Sequence, residues 1–132
     1  MAEINDLIPK DKFDTSSIDV LMTLNDDAIE PLIPKLLIWI QDMNWPVAPH
    51  VIKVLAKHCK VTEKYILSLL KPEQKDDIWK YNIIRYLLYE WPSYPDDELI
   101  TSEIIRISER PTEGEKEELV DEAALKYLNE FR

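Results

Sequence analysis

The sequence predicts an all-α fold in which antiparallel helix pairs pack side by side. Apolar residues recur at helical spacing along most of the chain, and no stretch alternates convincingly at the period of two that is typical of strands. Nine prolines and one glycine among 132 residues fit helices that begin at proline, which the first helical turn tolerates. The single glycine argues against phosphate-binding loops and dinucleotide folds, because these need glycine where backbones approach closely.

The segment 33–55 predicts the central helical hairpin. Apolar side chains before a tight loop at residues 41–45 share one helical face, and those after Pro46 repeat the spacing. Two amphipathic helices with a short connection are expected to pack antiparallel. The two faces consist of Ile29, Leu32, Ile33, Leu36, Leu37 and Ile40, and of Ala48, Val51, Ile52, Leu55, Ala56 and Cys59.

Before this hairpin, residues 1–14 predict a polar arm laid over the core. Ser16 and Asp19 resemble a capping box that opens a short helix. The apolar anchors expected in the arm are Leu7, Ile8 and Phe13.

The next helix is predicted to run from the Asn25-Asp26-Asp27 stop to about Asp42. Pro34 lies inside it and lacks the N–H that should bond back by one turn. The helix therefore either begins near Pro31 or is kinked there.

The remainder of the chain predicts five helices. The first covers residues 46–59, and a polar break precedes a new start at Thr62 and Glu63. A helix over 77–91 is apolar nearly all round, which is typical of burial between neighbours. Another helix starts at residues 95–97. A capping box at Thr112 and Glu115 opens the last, acidic helix of the segment 111–132.

Three Asp-Asp pairs resemble paired catalytic carboxylates, but each precedes a predicted helix. Side-chain oxygens at that position accept N–H groups of the first turn, so capping is the expected role of residues 26–27, 76–77 and 96–97. No serine lies in a nucleophile elbow or near a histidine in sequence. We therefore expect no catalytic residues, no enzyme activity and no cofactor.

The histidines and the cysteine do not predict a metal site. His50 and His58 are separated by about 12 Å of helical rise, too far to share one ion. Cys59 lies on an apolar stripe and is expected to be a small buried residue rather than a reactive thiol.

A Trp-Pro dipeptide that occurs twice in the sequence predicts an internal repeat. Trp45-Pro46 and Trp91-Pro92 lie 46 residues apart, and each closes an apolar helix. A period of roughly 40–47 residues made of helix pairs is typical of a HEAT-like right-handed α-α superhelix. An irregular helical bundle also fits.

The charge distribution limits the class of partner. The chain carries a net charge of −10, of which −7 falls in residues 96–132. This argues against nucleic acid and anionic membranes and is compatible with a basic protein partner. No apolar run approaches a membrane span, and the acidic N-terminus differs from a signal peptide, so we expect a cytoplasmic protein that is a monomer or a weak homodimer.

The segment 41–46 is one candidate binding surface. Tryptophan is enriched at interface hot spots, so Asp42, Asn44 and Trp45 are candidate partner-binding residues. The structural alternative is that Trp45 packs between helix pairs while Asp42 or Asn44 caps the next helix.

A basic helix face supplies the other candidates. His50, Lys53 and Lys57 recur at helical spacing, followed by Lys60 and Lys64. This face is either a docking site for an acidic partner segment or a solvated surface that balances the acidic C-terminal helix.

The segment L-L-I-W-I-Q-D-M-N-W-P-V-A, preceded by L-I-P-K-D-K-F-D at residues 7–14, resembles an uncharacterised bacterial family, domain of unknown function 5071. The resemblance covers residues 5–110, and residues 39–46 are its most specific part. It implies a small HEAT-like helical protein without assigned activity, and it places the segment after Arg110 in a variable tail.

Together these features predict a single non-catalytic domain, residues 1–132, that acts by protein–protein interaction. A bacterial immunity protein that neutralises a basic toxin domain is one example of this kind. The rival hypothesis is an enzyme or small-ligand binder whose groove gathers Asn82, Arg85 and Tyr86. A third is a structural adaptor that dimerises through apolar helices.

Overall fold

The structure is a computed structural model that describes residues 4–131, and the chain is all-helical across them, with no strand. The predicted all-α class is thereby confirmed. The α-helices are α1 (Ile18–Thr23), α2 (Asp26–Ile29), α3 (Ile33–Leu37), α4 (Ala48–Lys57), α5 (Cys59–Leu70), α6 (Asp77–Asn82), α7 (Glu98–Glu109), α8 (Glu113–Glu117) and α9 (Val120–Phe131).

Shorter helical segments extend several of these helices. Residues 26–40 follow a helical path that changes to a 3₁₀ segment at Glu30–Leu32. Pro31 lies in this segment, where the sequence predicted a helix start or a kink. The remaining segments are 3₁₀ turns at Ile4–Leu7, Ile38–Ile40 and Leu88–Glu90, and a π-helical turn at Ile83–Leu87.

The core lies between the central hairpin and the C-terminal helices. Helix α4 packs against α1, α3 and the π-helical turn, while α5 packs against α3, α4 and α7. Helix α9 covers α6, α7 and the π-helical turn. Leucine and isoleucine side chains from α1, α3, α4, α5, α7 and the π-helical turn are fully buried or nearly so, and their burial supplies the main stabilisation.

The junction of α4 and α5 differs from the sequence prediction. Helix α5 begins at Cys59, not at Thr62, and only His58 separates the two helices. The Thr62 hydroxyl donates to the His58 carbonyl oxygen at 2.9 Å, and the side chain is fully buried. Polar residues that resemble a break in sequence are therefore internal to a helix.

The predicted helix caps are mostly confirmed. Asp76 accepts the Trp79 N–H, Asp97 accepts the Leu99 N–H, and Thr112 forms the predicted capping box with Glu115.

Two capping predictions are wrong. Asn25, rather than an aspartate, caps α2 by accepting the Ala28 N–H, which leaves Asp26 free to bind elsewhere. Ser16 makes no cap, because the N-cap position of α1 falls on Ser17, whose side chain makes no capping bond. The Ser16 hydroxyl donates to Asp14 instead, and hydrogen bonds from Ser16 and the Lys10 N–H lower the pKa of Asp14 to about 2.

The two ends of the chain depart from the predictions in part. Leu7 and Ile8 pack against the core, but Phe13 is 67% exposed, so the arm is anchored by two apolar residues instead of three. The acidic segment is two helices, α8 and α9, that meet at Leu119. Residues 1–3 and Arg132, which belong to the predicted arm and acidic helix, lie outside the described residues.

Candidate functional site

The loop between the 3₁₀ turn at Ile38–Ile40 and α4 forms one wall of a surface groove. The groove has a volume of about 380 Å³ and combines an apolar floor with amide, ammonium and carboxylate groups. We call it the loop groove; its lining residues are Met43, Asn44, Pro49, Ile52, Lys53, Tyr86 and Glu90.

Asp42 gives the loop its local shape. Its Oδ1 accepts the Asn44 N–H at 2.8 Å, and its carbonyl oxygen accepts the Trp45 N–H at 3.2 Å. These bonds form an Asx turn, in which an aspartate side chain holds the backbone two residues on. Asp42 therefore supports the groove wall, and Asn44 lines the groove.

Asn82 fastens the start of the same loop to the core. Its Nδ2 donates to the carbonyl oxygens of Ile40 at 2.9 Å and Gln41 at 3.1 Å, and the side chain is nearly fully buried. One turn earlier, Trp79 Nε1 donates to the Leu37 carbonyl oxygen at 3.0 Å. All three bonds are accepted by carbonyl groups near the C-terminal end of a helical segment, where carbonyl groups often lack intrahelical partners.

Trp45 packs within the molecule. Its ring meets the Trp39 ring edge to face with centroids 5.5 Å apart, and both side chains are partly buried. Such a pair contributes about 1 kcal/mol beyond the area that it buries. The structural alternative, with Trp45 between helix pairs and Asp42 or Asn44 capping the next helix, does not match this geometry: Trp45 packs on Trp39 of the preceding 3₁₀ turn, and no side chain caps α4. The partial exposure of Trp45 leaves part of its ring available at the surface.

The structure brings two of the six candidate partner-binding residues into the loop groove. Asn44 and Lys53 line it, Asp42 and Trp45 support its wall, and His50 is exposed on α4. Lys57 lies away from the groove, where its ammonium donates to the Met22 carbonyl oxygen.

The basic face is partly used by contacts within the chain. Lys64 pairs with Glu30, and this hydrogen bond raises the pKa of the Lys64 ammonium. The contacts of Lys57 and Lys64 within the chain favour the interpretation of these two lysines as part of a solvated face. Lys53 lines the loop groove, whereas Lys57 lines a separate, more open hollow beside Asp26 and His58.

The groove does not gather the polar groups that the rival hypothesis names. Tyr86 lines it, but Asn82 is committed to the loop carbonyl groups. The Arg85 guanidinium lies 5.4 Å from the ring centroids of both Tyr86 and Tyr89, a cation–π arrangement.

The pair formed by the buried His58 and Asp26 of α2 was not predicted from the sequence. His58 Nδ1 lies 2.8 Å from Asp26 Oδ1, and His58 Nε2 lies 3.3 Å from the Leu21 carbonyl oxygen. The two ring nitrogens of His58 thus each face an oxygen, one of a carboxylate and one of the backbone. The one feature of the sequence that could have indicated this pair is Asp26, an aspartate that α2 does not need as a cap because Asn25 fills that role.

A buried charge network joins α6, α7 and α8. The Lys80 ammonium lies 2.7 Å from Glu115 Oε2, and Arg106 forms two further bonds with the same carboxylate at 2.8 and 2.9 Å. Burial raises the pKa of Glu115, but the hydrogen bonds from Arg106 and Lys80 outweigh it and hold that pKa at about 2. Because these charges satisfy one another, the network fixes helices rather than offering a reactive group.

A second buried carboxylate organises the segment after the Trp91-Pro92 pair. Glu63 accepts Trp91 Nε1–H at 3.1 Å and the N–H groups of Asp96 and Asp97 at 3.3 and 2.9 Å. Glu63 thus holds the entry to α7, a role that its position in a predicted polar break did not suggest.

Residues 4–131 contain neither a metal-ligating cluster nor a helix suited to span a membrane. No three His, Cys, Asp or Glu side chains in this range lie together in a way that could ligate a metal ion. No helix in the range combines the length and the apolar character needed to cross a membrane.

Comparison with protein families places the chain. A family model described as "Domain of unknown function (DUF5071)" matches residues 7–128, most of the sequence. The chain belongs to this family. The match continues through α8 and α9, so the segment after Arg110 is part of the family domain, and its assignment to a variable tail was wrong. Comparison with curated proteins found no match.

Proposed function

We propose that this member of the DUF5071 family is a non-catalytic module that binds a basic protein partner through the loop groove. It would act as a bacterial immunity protein acts on a toxin domain, by covering a surface of its partner. The single observation that carries the proposal is the loop groove itself, an open apolar hollow whose walls carry Asn44, Lys53 and Glu90.

The lining of the groove suits a protein side chain. Tyr86 is 39% exposed at its edge, and aromatic residues held on a helix are frequent anchors of protein interfaces. Ile52 and Pro49 provide an apolar floor, while Lys53 and Glu90 offer one charge of each sign for orientation. The net charge of −10 supports a basic partner, because opposite charges accelerate association.

The test compares matched variants in capture and titration. We expect the immobilised chain to retain a basic protein that Tyr86→Ala loses and that Leu99→Ala, a change at a different exposed residue, keeps. The retained protein is then purified and titrated by calorimetry, with a Kd at least about tenfold weaker for Tyr86→Ala. If capture does not depend on Tyr86, or the captured protein is acidic, the proposal fails.

A small-ligand or enzymatic role for the same groove is the second candidate. Its volume of about 380 Å³ lies within the range of small-molecule sites. Screening metabolites by thermal shift tests this role: a compound that stabilises the wild type but not Tyr86→Ala would favour it over protein binding.

We further propose that the helix pairs stack as a HEAT-like right-handed superhelix in a cytoplasmic bacterial protein. In support, α3 packs on α4, α5 on α7 and α7 on α9, as neighbouring pairs in a stack would. The two Trp-Pro pairs both follow the end of a helical segment.

A further inference from the structure

Leu119 occupies an unusual backbone conformation at the junction of α8 and α9. Its φ is +62°, and it is the one non-glycine residue with positive φ among residues 4–131. Helices often end with such a residue, but glycine is the usual choice because a Cβ crowds the following carbonyl oxygen. A leucine there strains the backbone.

Core packing does not explain this leucine. The residue is 52% exposed, so little apolar burial offsets its backbone strain. Hydrogen bonds hold the strained conformation in place, since the Leu119 N–H donates to the Lys116 carbonyl oxygen and the Leu119 carbonyl oxygen accepts the Ala123 N–H. The folded chain therefore presents a large apolar side chain to solvent at a fixed position.

The exposed leucine borders an apolar cleft. Ile78, which is 51% exposed, and Tyr81 form the opposite wall, and the volume is about 270 Å³. We call this surface the Leu119 cleft; its lining residues are Ile78, Tyr81, Glu118 and Leu119. Two half-exposed aliphatic side chains facing one hollow form an apolar patch that a partner could cover.

Carboxylates surround the α8 side of the cleft. Residues 113–122 contain six acidic residues and one lysine, and Glu115 alone of the acids is neutralised by buried cations. Glu117, Glu118 and Glu122 are exposed. Glu122 lines an adjoining hollow together with Arg85 and Lys126. The acidic rim of the cleft is therefore the C-terminal end of α8, where Glu118 lines the cleft and Glu117 precedes it.

We propose that the Leu119 cleft binds a basic segment of a partner protein, which inserts an apolar side chain between Leu119 and Ile78 and places lysine or arginine beside Glu118 and Glu117. This inference rests on the proposed protein-binding function but not on the loop groove. A second copy of the chain fits poorly, because a two-fold interface would set the acidic rim of one molecule against the same rim of the other.

The test uses a synthetic amphipathic peptide of leucine and lysine, about four helical turns long, with a leucine–glutamate peptide of the same pattern as control. In a ¹⁵N NMR titration of the full chain, we expect the basic peptide alone to shift the amide signals of Ile78, Tyr81 and Leu119. Binding should weaken as salt screens the carboxylates.

Leu119→Gly is the decisive variant. Glycine accepts a φ of +62° without strain, so the midpoint of thermal unfolding should rise or stay unchanged while peptide affinity falls at least about tenfold. Leu125→Ala, a change at an exposed leucine of α9, should keep wild-type affinity. Binding that is indifferent to Leu119→Gly, or signal shifts confined to other surfaces, would overturn the assignment, as would a dimer in light scattering that Leu119→Gly dissociates.

The two proposals can fail separately. If the captured partner depends on Tyr86 but not on Leu119, the loop groove is the interface and the cleft assignment is wrong. If the peptide binds at the Leu119 cleft and no partner depends on Tyr86, the groove assignment is wrong.

Discussion

The Lys80 ammonium lies 2.7 Å from the Glu115 carboxylate, and both side chains are completely buried. The pair joins α6 to α8 across 35 positions of sequence, and Arg106 from α7 completes it. Asp77 lies 3.6 Å from the same ammonium and also contacts the chain's single glycine: a Cβ on Gly114 would come within 2.2 Å of Asp77 Oδ2. A side chain at residue 114 would therefore displace the Asp77 carboxylate from its place near Lys80, whereas the positive φ nearby falls on a leucine.

Glu115→Gln should destabilise the protein in a pH-dependent way. The folded-state pKa of Glu115 is about 2, below the ordinary 4.5, so the unfolded chain binds more protons between these values. Stability from this group is present above about pH 5 and is lost as pH falls towards 2, and it amounts to about 3 kcal/mol.

Urea unfolding across a pH series measures this contribution. At neutral pH, Glu115→Gln should lose most of this contribution to the free energy of unfolding. Its free energy of unfolding should also fall less steeply than that of the wild type as pH decreases. The control is Glu113→Gln, a change at an exposed residue of the same helix, which should match the wild type. Equal stability of the two variants at neutral pH would contradict the prediction.

Glu63→Ala should loosen the entry to α7. The substitution removes the acceptor of the Trp91 indole and of two backbone N–H groups, with an expected cost of about 2–4 kcal/mol. Hydrogen exchange should accelerate at the Trp91 indole. The Trp79 indole, bonded to the Leu37 carbonyl oxygen, serves as an internal control, and equal acceleration at both would point to global loosening instead.

Asn82→Leu should free the loop that forms the groove wall. Leucine retains the volume but leaves the carbonyl oxygens of Ile40 and Gln41 without the amide donor, at a cost of about 1–3 kcal/mol. We expect a lower urea midpoint and faster amide exchange at residues 42–45. Asn129→Leu, at an exposed site on α9, should change neither, and an unaltered loop in Asn82→Leu would refute the role given to Asn82.

Cys59 should react slowly with alkylating reagents. Partial burial and the nearby Glu63 carboxylate raise the pKa of the thiol, and only the thiolate is nucleophilic. Iodoacetamide labelling at neutral pH, followed by mass spectrometry, should be at least about tenfold faster in urea than in the native protein. A native rate equal to the unfolded rate would mean that the native thiol is as accessible and as readily ionised as in the unfolded chain, which contradicts the prediction.

Local sequence signals located most helices because helical spacing and capping chemistry act over a few residues. Asp76, Asp97 and the Thr112–Glu115 pair mark helix starts that the structure confirms. The predicted start of α5 was wrong because Thr62 and Glu63 are polar and resemble a break between helices. Both side chains are buried, since Thr62 bonds to the His58 carbonyl oxygen one turn earlier and Glu63 accepts the Trp91 indole N–H.

The candidate site was predicted only in part for the same reason. Asn44 and Lys53 were selected from their own segments and do line one groove, but Tyr86 and Glu90 reach that groove only because α4 packs against the following helical path. Nothing near Leu119 in sequence indicated a positive φ, since that conformation results from the meeting of two helices.

The sequence alone determined the helical class, the proline interruption, most caps and the acidic charge, because each depends on residues within about one or two helical turns. The tertiary structure decided which polar groups share a buried network, where Asn82 and Glu63 donate or accept, and which exposed side chains border one hollow. The bonds of Lys80 to Glu115, of Asn82 to Ile40 and of Trp91 to Glu63 join residues more than 20 positions apart, and only the packing of helices against one another brings them within hydrogen-bond distance.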